Sequence, residues 1–219
     1  MKTFNPSNLI ISTHFLPVVL NGCCGLCFHK SYPIMLDLID PSIELTSVFI
    51  QSDRIILESI QMSYCQQIFN EFTPEITQYM FPKPPVIVEE TAQFISESLT
   101  KMQKRKELVL VIKKKENGEF LGCCGFHSKE TPTTPEFGIW IKKDAHGNKY
   151  GREAIKILRH WAIENIDFDY AIYPVDKANI ASRKIAESLG GMVIKERKVK
   201  TMRGSYLDEV VYKIPKTES

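Results

Sequence analysis

Neither charge dominates this chain: 28 Lys and Arg face 26 Asp and Glu across 219 residues, a net charge of +2. Without a basic excess there is no electrostatic footprint for nucleic acid as a general partner. Two basic runs, residues 101–106 and 195–198, read as solvated helix ends or loops that leave room for local attraction of an anion. No internal repeat or low-complexity tract interrupts the chain. No G-x-G-x-x-G follows a first strand with an acidic residue further on, which excludes a dinucleotide-binding domain. No nucleophile elbow or Ser-His-Asp spacing is present, which argues against an acyl-enzyme route. Cysteines are few, at 23, 24, 27, 65, 123 and 124. Cys24-x-x-Cys27 beside His29 lacks a second ligand pair at finger or ribbon spacing, so no closed metal site is expected. Cys123 and Cys124 alternate across an expected strand and cannot clamp one ion; reduced thiols are the default.

Residues 9–28 contain no Asp, Glu, Lys or Arg. That composition suits a signal-peptide core or a short membrane span. His14, Pro17, Asn21, Gly22 and Gly25 break it, and no small-residue cleavage site follows. Residues 1–47 are therefore expected to be an extension outside the chemistry, with no membrane partner. Residues 48–219 are expected to be one domain.

Within that domain the apolar period alternates between helix and strand values. Residues 54–58 read as a short strand and 64–72 as a helix. Thr73-Pro74-Glu75 marks a further helix start. Residues 81–85, with three prolines, resist regular structure. A helix over 89–104 presents Ala92, Ile95, Leu99 and Met102 as a stripe. Strands follow at 107–113 and 120–127, joined by the turn Lys115-Glu116-Asn117-Gly118. Another strand is expected at 136–141, then a helix at 152–165, a strand at 170–175, and a helix at 179–189 stopped by Gly190-Gly191. Strands at 192–200 and 205–214 close the domain. This order predicts an α/β (mixed α+β) fold with a mixed sheet covered by helices on both faces.

The stretch His146-Gly147-Asn148-Lys149-Tyr150-Gly151-Arg152 lies between an expected strand and a helix that carries Ala154, Ile155, Leu158, Trp161 and Ala162 at helical spacing. A glycine turn at a helix N-terminus gathers unpaired N–H groups at the positive end of the helix dipole, which suits a phosphate. Two glycines before a helix also mark an ordinary tight turn.

Three segments in order resemble the GNAT superfamily of acyl-CoA-dependent N-acetyltransferases, and within it the RimJ/RimL-like branch. Gly118-Glu119-Phe120-Leu121-Gly122-Cys123-Cys124-Gly125 is similar to a branch hairpin. Glu136-Phe137-Gly138-Ile139-Trp140-Ile141 running into residues 146–154 is similar to the branch's E-x-G-Y-W-L strand and its Q-G-K-G-Y-A turn. Asn179-Ile180-Ala181-Ser182 through Leu189-Gly190 is similar to N-x-x-S-x-x-x-x-E-K-L-G, and Asp53-Arg54-Ile55-Ile56-Leu57 to the branch's opening. The resemblance covers residues 48–214. It implies a GNAT fold, with a central, mostly antiparallel twisted sheet. It also implies a cytoplasmic enzyme, monomeric or homodimeric, that transfers acetyl from acetyl-CoA to a primary amine by direct attack. The amine belongs to a protein N-terminus or a small molecule. A silent acyl-CoA-binding module is the alternative in a different class.

The resemblance also implies roles. His146, Gly147, Asn148, Lys149, Tyr150, Gly151 and Arg152 would hold the pyrophosphate. Lys149 stands where the family places its first fingerprint glycine, so it either obstructs the phosphate or adds charge to it. Trp140, Ile141 and Lys142, at a distorted strand end, would take the acetyl carbonyl and the pantetheine amide. Asn179 would bond the pantetheine arm, or simply cap its helix. Ser182 would stabilise the thiolate, or make a local cap bond, with Tyr173 and Tyr206 as more distant candidates for proton donation. Glu136 is the expected base and His127 the runner-up; each is equally a strand-end surface residue. No metal is expected.

Overall fold

The computed structural model describes residues 34–129 and 131–217. The extension up to residue 33, with Cys24, Cys27 and His29, lies outside the described residues. The elements are β1 (Asp37–Leu38), β2 (Phe49–Gln51), β3 (Ile55–Ser59), α1 (Cys65–Glu71), α2 (Val88–Gln103), β4 (Glu107–Lys114), β5 (Phe120–His127), β6 (Glu136–Ile141), α3 (Tyr150–Asn165), β7 (Ile166–Asp167), β8 (Tyr170–Asp176), α4 (Ile180–Ser188), β9 (Met192–Lys200) and β10 (Tyr206–Pro215).

Eight strands form one sheet in the order β2-β3-β4-β5-β6-β8-β10-β9, and β1 pairs separately with β7. Every neighbour in the large sheet is antiparallel except β6 and β8. The central strands β4 and β5 are buried along nearly their whole length, from Leu108 to Ile112 and from Phe120 to Phe126. A strand covered on both faces reads as a continuous apolar run rather than an alternation, and Leu108-Val109-Leu110-Val111-Ile112 is such a run. The covers are α3, which packs on β2, β3, β5 and β6, and on the other face α2 on β4 with α1 on β5. Among the described residues no helix is long and apolar enough to cross a membrane.

Three expectations need correction. The folded unit does not begin at residue 48. Leu36, Leu38 and Leu45 lie in the core at 0, 6 and 3% exposure, and the Leu36 amide donates to Arg105 O at 2.6 Å. Leu36 and Leu38 alternate at strand spacing, but over only three residues, too short a stretch to mark a strand in the sequence. The helix start at Thr73-Pro74-Glu75 yields only a 3-10 turn, Ile76–Tyr79, begun by the Ile76 amide on the Thr73 hydroxyl at 3.4 Å. The buried stripe of α2 is Thr91, Ile95, Ser98 and Met102. Ala92 and Leu99 flank it, half-buried.

Candidate functional site

Strands β6 and β8 meet at one parallel pair, Glu136 with Ile172, where the Ile172 amide donates to Pro135 O at 2.8 Å. No further register pair joins them, although β6 runs on to Ile141 and β8 to Asp176. In a strand the main-chain groups of alternate residues point to alternate neighbours. Pro135 points to β8, so Ile139 does as well. Its N–H and C=O therefore face a gap with no strand to pair them. A cleft of ≈ 390 Å³ opens along this gap and is lined from both faces of the sheet.

On the α1/α2 face, Glu107, His127 and Glu136 stand in one row across β4, β5 and β6. His127 Nδ1 lies 3.2 Å from Glu107 Oε2, and Lys101 Nζ is 3.8 Å from the same oxygen. Burial alone would push the Glu107 carboxyl up. His127 and Lys101 outweigh it and hold the carboxyl below the usual glutamate value. The imidazole lies over two glycines: a Cβ on Gly125 would stand 2.4 Å from His127 Nε2, and one on Gly138 3.4 Å. Glu136 is joined by Lys129, whose ammonium donates to Oε1. Trp140 continues the row of β6 and packs against Phe72 and Phe120, with ring centroids 5.0 and 5.7 Å away.

On the opposite face, the Tyr173 and Ser182 hydroxyls share a hydrogen bond of 2.8 Å. Burial pushes the Tyr173 phenol well up, against the pull of the Ser182 bond, so it stays protonated. The Asn179 side chain accepts from the Ser182 amide at 3.1 Å and caps α4, which fixes the first turn that carries the Ser182 hydroxyl. Both Asn179 and Ser182 line the cleft.

Beyond the far end of β6, the His146 ring bonds Ile141 O at 2.8 Å and Asn148 Nδ2 donates to Ala145 O and His146 O, tightening the turn into α3. Gly147 has φ +81, and Lys149, the residue before α3, has φ 64 and ψ 13. Among the described residues no acceptor takes the amide N–H groups of residues 147–152. Those N–H groups, at a helix N-terminus, suit an anionic oxygen cluster. Arg54 braces this turn: it pairs with Glu153, donates to Asn148 O at 3.3 Å and lies 5.0 Å over the Tyr150 ring. Gly151 is buried where a Cβ would meet Ile185, Ile139 and Ile141 side-chain atoms at 3.2 to 3.5 Å.

Glu136, His127, Trp140, Asn179 and Ser182 thus come together around the cleft. Ile141, Lys142 and the turn 146–152 do not line it, and the Lys142 ammonium is spent on Glu119 at 2.8 Å. Sequence reasoning missed Glu107, Lys129 and Arg54, and gave Tyr173 little weight. Spacing along the chain does not single out Tyr173: its partnership with Ser182 comes from the packing of α4 on β8.

The sequence model of the family described as Acetyltransferase (GNAT) domain matches residues 54–192, well over half of the chain. No curated protein matches the sequence. Solved structures similar to this one include the RimL ribosomal L7/L12 α-N-protein acetyltransferase bound to coenzyme A, at 17% identity and TM-score 0.70 over 77% of this chain and 98% of that one. A Salmonella typhimurium acetyltransferase that modifies the N-terminal serine of ribosomal protein L7/L12 aligns at 17% identity and TM-score 0.68, covering 77% and 99%. The microcin C7 self-immunity acetyltransferase MccE, bound to acetyl-CoA and AMP, aligns at 20% identity and TM-score 0.67, covering 75% and 93%.

Proposed function

The chain belongs to the acetyltransferase (GNAT) domain family, and from that premise we propose that it moves the acetyl group of acetyl-CoA onto a primary amine within a ternary complex. One observation carries this reading. The single rung between β6 and β8 leaves Ile139 main-chain groups facing a gap that ends, on one face, at a carboxylate and an imidazole, and on the other at paired hydroxyls. An amide-bearing arm laid in that gap completes the broken ladder, and the N–H groups of residues 147–152 take its phosphates.

Acetyl-CoA supplies the thioester. Glu136 accepts the amine's proton through Oε2, since Lys129 occupies Oε1. The amine nitrogen bonds to the acetyl carbon and the carbon–sulfur bond breaks. Ser182, backed by the protonated Tyr173, donates to the departing thiolate. His127, held at Nδ1 by Glu107, faces the same space and is a second acceptor. A protein N-terminus is one source of the amine, as in the L7/L12-modifying neighbour.

The test is calorimetric titration of acetyl-CoA into the folded protein, followed by thiol release with a panel of amines. Micromolar affinity with amine-dependent release supports the reading, and Glu136→Gln should then lower kcat by roughly 10²-fold or more with little change in acetyl-CoA affinity. Binding without release by any amine favours the silent module. Absence of binding overturns the acyl-CoA site.

A further inference from the structure

The acetyl-transfer reading leaves the second substrate open, and the inference below rests on that reading. We propose that the acceptor is a primary amine carried on an apolar, preferably aromatic, body with no further positive charge.

On the α1/α2 face the sheet floor of the cleft is walled by α1 and α2, the proline-rich segment between them, and the start of β10. Phe72, Met80, Phe81, Phe94, Trp140 and Leu207 give the cleft large apolar side chains that an acceptor would touch. Phe81 and Phe94 line the cleft yet remain 52% and 45% exposed. Large apolar side chains at the mouth of a cavity gain by being covered, and ring-on-ring contact adds to the area term.

The segment that presents Phe81 is held in place. Met202 N donates to Phe81 O at 3.0 Å, and Arg203 donates to Thr77 Oγ1 at 3.1 Å and to Gln78 O at 2.9 Å. The aromatic wall is thus tied by the β9–β10 turn to the rest of the fold. It forms a built surface.

The charges say what cannot enter. Four carboxylates line the cleft, and each is already engaged. Glu90 takes the Val86 amide at 2.6 Å and lies 3.8 Å from Lys83. Glu136 takes Lys129. Asp176 takes the amides of Ala178 and Asp208 at 2.8 and 3.0 Å. Glu209 takes Arg197 Nε at 2.8 Å. One ammonium can lose its charge at Glu136 as it reacts. Glu90, Glu136 and Glu209 each already face a cation, and Asp176, the one that does not among the described residues, has both oxygens on backbone amides. A second ammonium would have to compete with those amides or lie among the rings without a partner, at a desolvation penalty. Polyamines and aminated sugars are therefore disfavoured, whereas an arylalkylamine, or a peptide N-terminus whose first side chain is aromatic, fits.

The experiment uses the full chain with acetyl-CoA and follows thiol release. The amines are phenylethylamine, ethanolamine, spermidine, and two short peptides differing only in starting with Phe or Ser. The expected kcat/KM for phenylethylamine or the Phe peptide exceeds that for ethanolamine and spermidine by about 10-fold or more. Which of the two leads identifies the source, free amine or polypeptide. Phe81→Ser, at a half-exposed position that leaves the core intact, should erase that preference mainly through KM while acetyl-CoA affinity is retained. Spermidine or ethanolamine as the better substrate, or an unchanged preference in Phe81→Ser, overturns the proposal. Calorimetry with phenylethylamine separates the two readings if nothing turns over. Binding lost in Phe81→Ser upholds the apolar cleft while the transferase reading falls, and no binding of any amine removes both.

Discussion

Lys149 occupies a left-handed backbone conformation at the residue before α3, with φ 64 and ψ 13, and no side-chain cap bond accompanies it. An L-residue with a Cβ spends about 1–2 kcal/mol to stay there. Glycine would relieve that cost but would give back roughly 0.4–1 kcal/mol of unfolded-chain entropy. Lys149→Gly is therefore expected to stabilise the folded state by about 0.5–1 kcal/mol, which for a domain of this size raises Tm by about 1–4 °C. Lys149→Ala keeps the Cβ and removes the exposed stem with its charge, so it should leave Tm within about 1 °C of the parent.

The same pair separates two effects on ligand. The ammonium is exposed, so its attraction to a pyrophosphate is screened and worth less than about 1 kcal/mol. Both variants should weaken acetyl-CoA binding by the same factor of up to about 5, measured by calorimetry at fixed ionic strength. The reasoning fails if Lys149→Ala raises Tm as much as Lys149→Gly does. It fails as well if either variant binds acetyl-CoA more tightly, because the lysine would then be an obstruction and not a source of charge.

Two further outcomes follow from named contacts. Gly151→Ala brings a Cβ to 3.2 Å from Ile185 Cδ1, the free end of a side chain, and improves helix propensity, so stability should change by less than about 1 kcal/mol. Gly151→Val overpacks the same seat and should cost about 1–3 kcal/mol in denaturant titration, which makes Ala the variant for testing phosphate affinity. Glu107 has a carboxyl held below its ordinary value of 4.5, so it contributes stability above that pH which is lost as pH falls through the folded value. Glu107→Gln should lower stability at pH 7 by about 1 kcal/mol and flatten the decline below pH 4.5; an unchanged acid limb would remove the His127–Glu107 contact from the stability of the fold.

Much of this arrangement is legible in the sequence because it is local. The buried run 108–112, the hairpin turn before Phe120, the strand from Glu136 and the glycine turn into α3 each carry their own pattern, and all appear where that pattern puts them. The resemblance to RimJ/RimL-like proteins added the order of segments. What stayed hidden is of two kinds. Elements of two or three residues, such as β1, β2 and β7, are too short to show a period. Contacts made by long side chains across strands, such as Lys129 on Glu136 or Arg54 on Glu153, depend on register and rotamer, which spacing along the chain does not reveal.

The partnership of Glu107 with His127 shows why register is the harder part. At the turn end of the hairpin Lys113 opposes Phe120, and continuing that register would set Glu107 against Phe126, putting carboxylate and imidazole on opposite faces. The register shifts by one between Ile112 and Lys113, because Leu121 is an extra residue, and from Gly122 onward Glu107 opposes His127. Only glycine serves at that shift: Gly122 has φ +151, and a Cβ there would stand 2.2 Å from Trp140 O. One glycine bulge thus brings the β6 backbone close at Trp140 and rotates the rest of β5 by one residue. Gly125 and Gly138 then leave the flat seat on which His127 lies beside Glu136. The row of acid, imidazole and acid at the closed end of the β6–β8 gap is a consequence of that single inserted residue, and an uninterrupted hairpin with the same side chains would not assemble it.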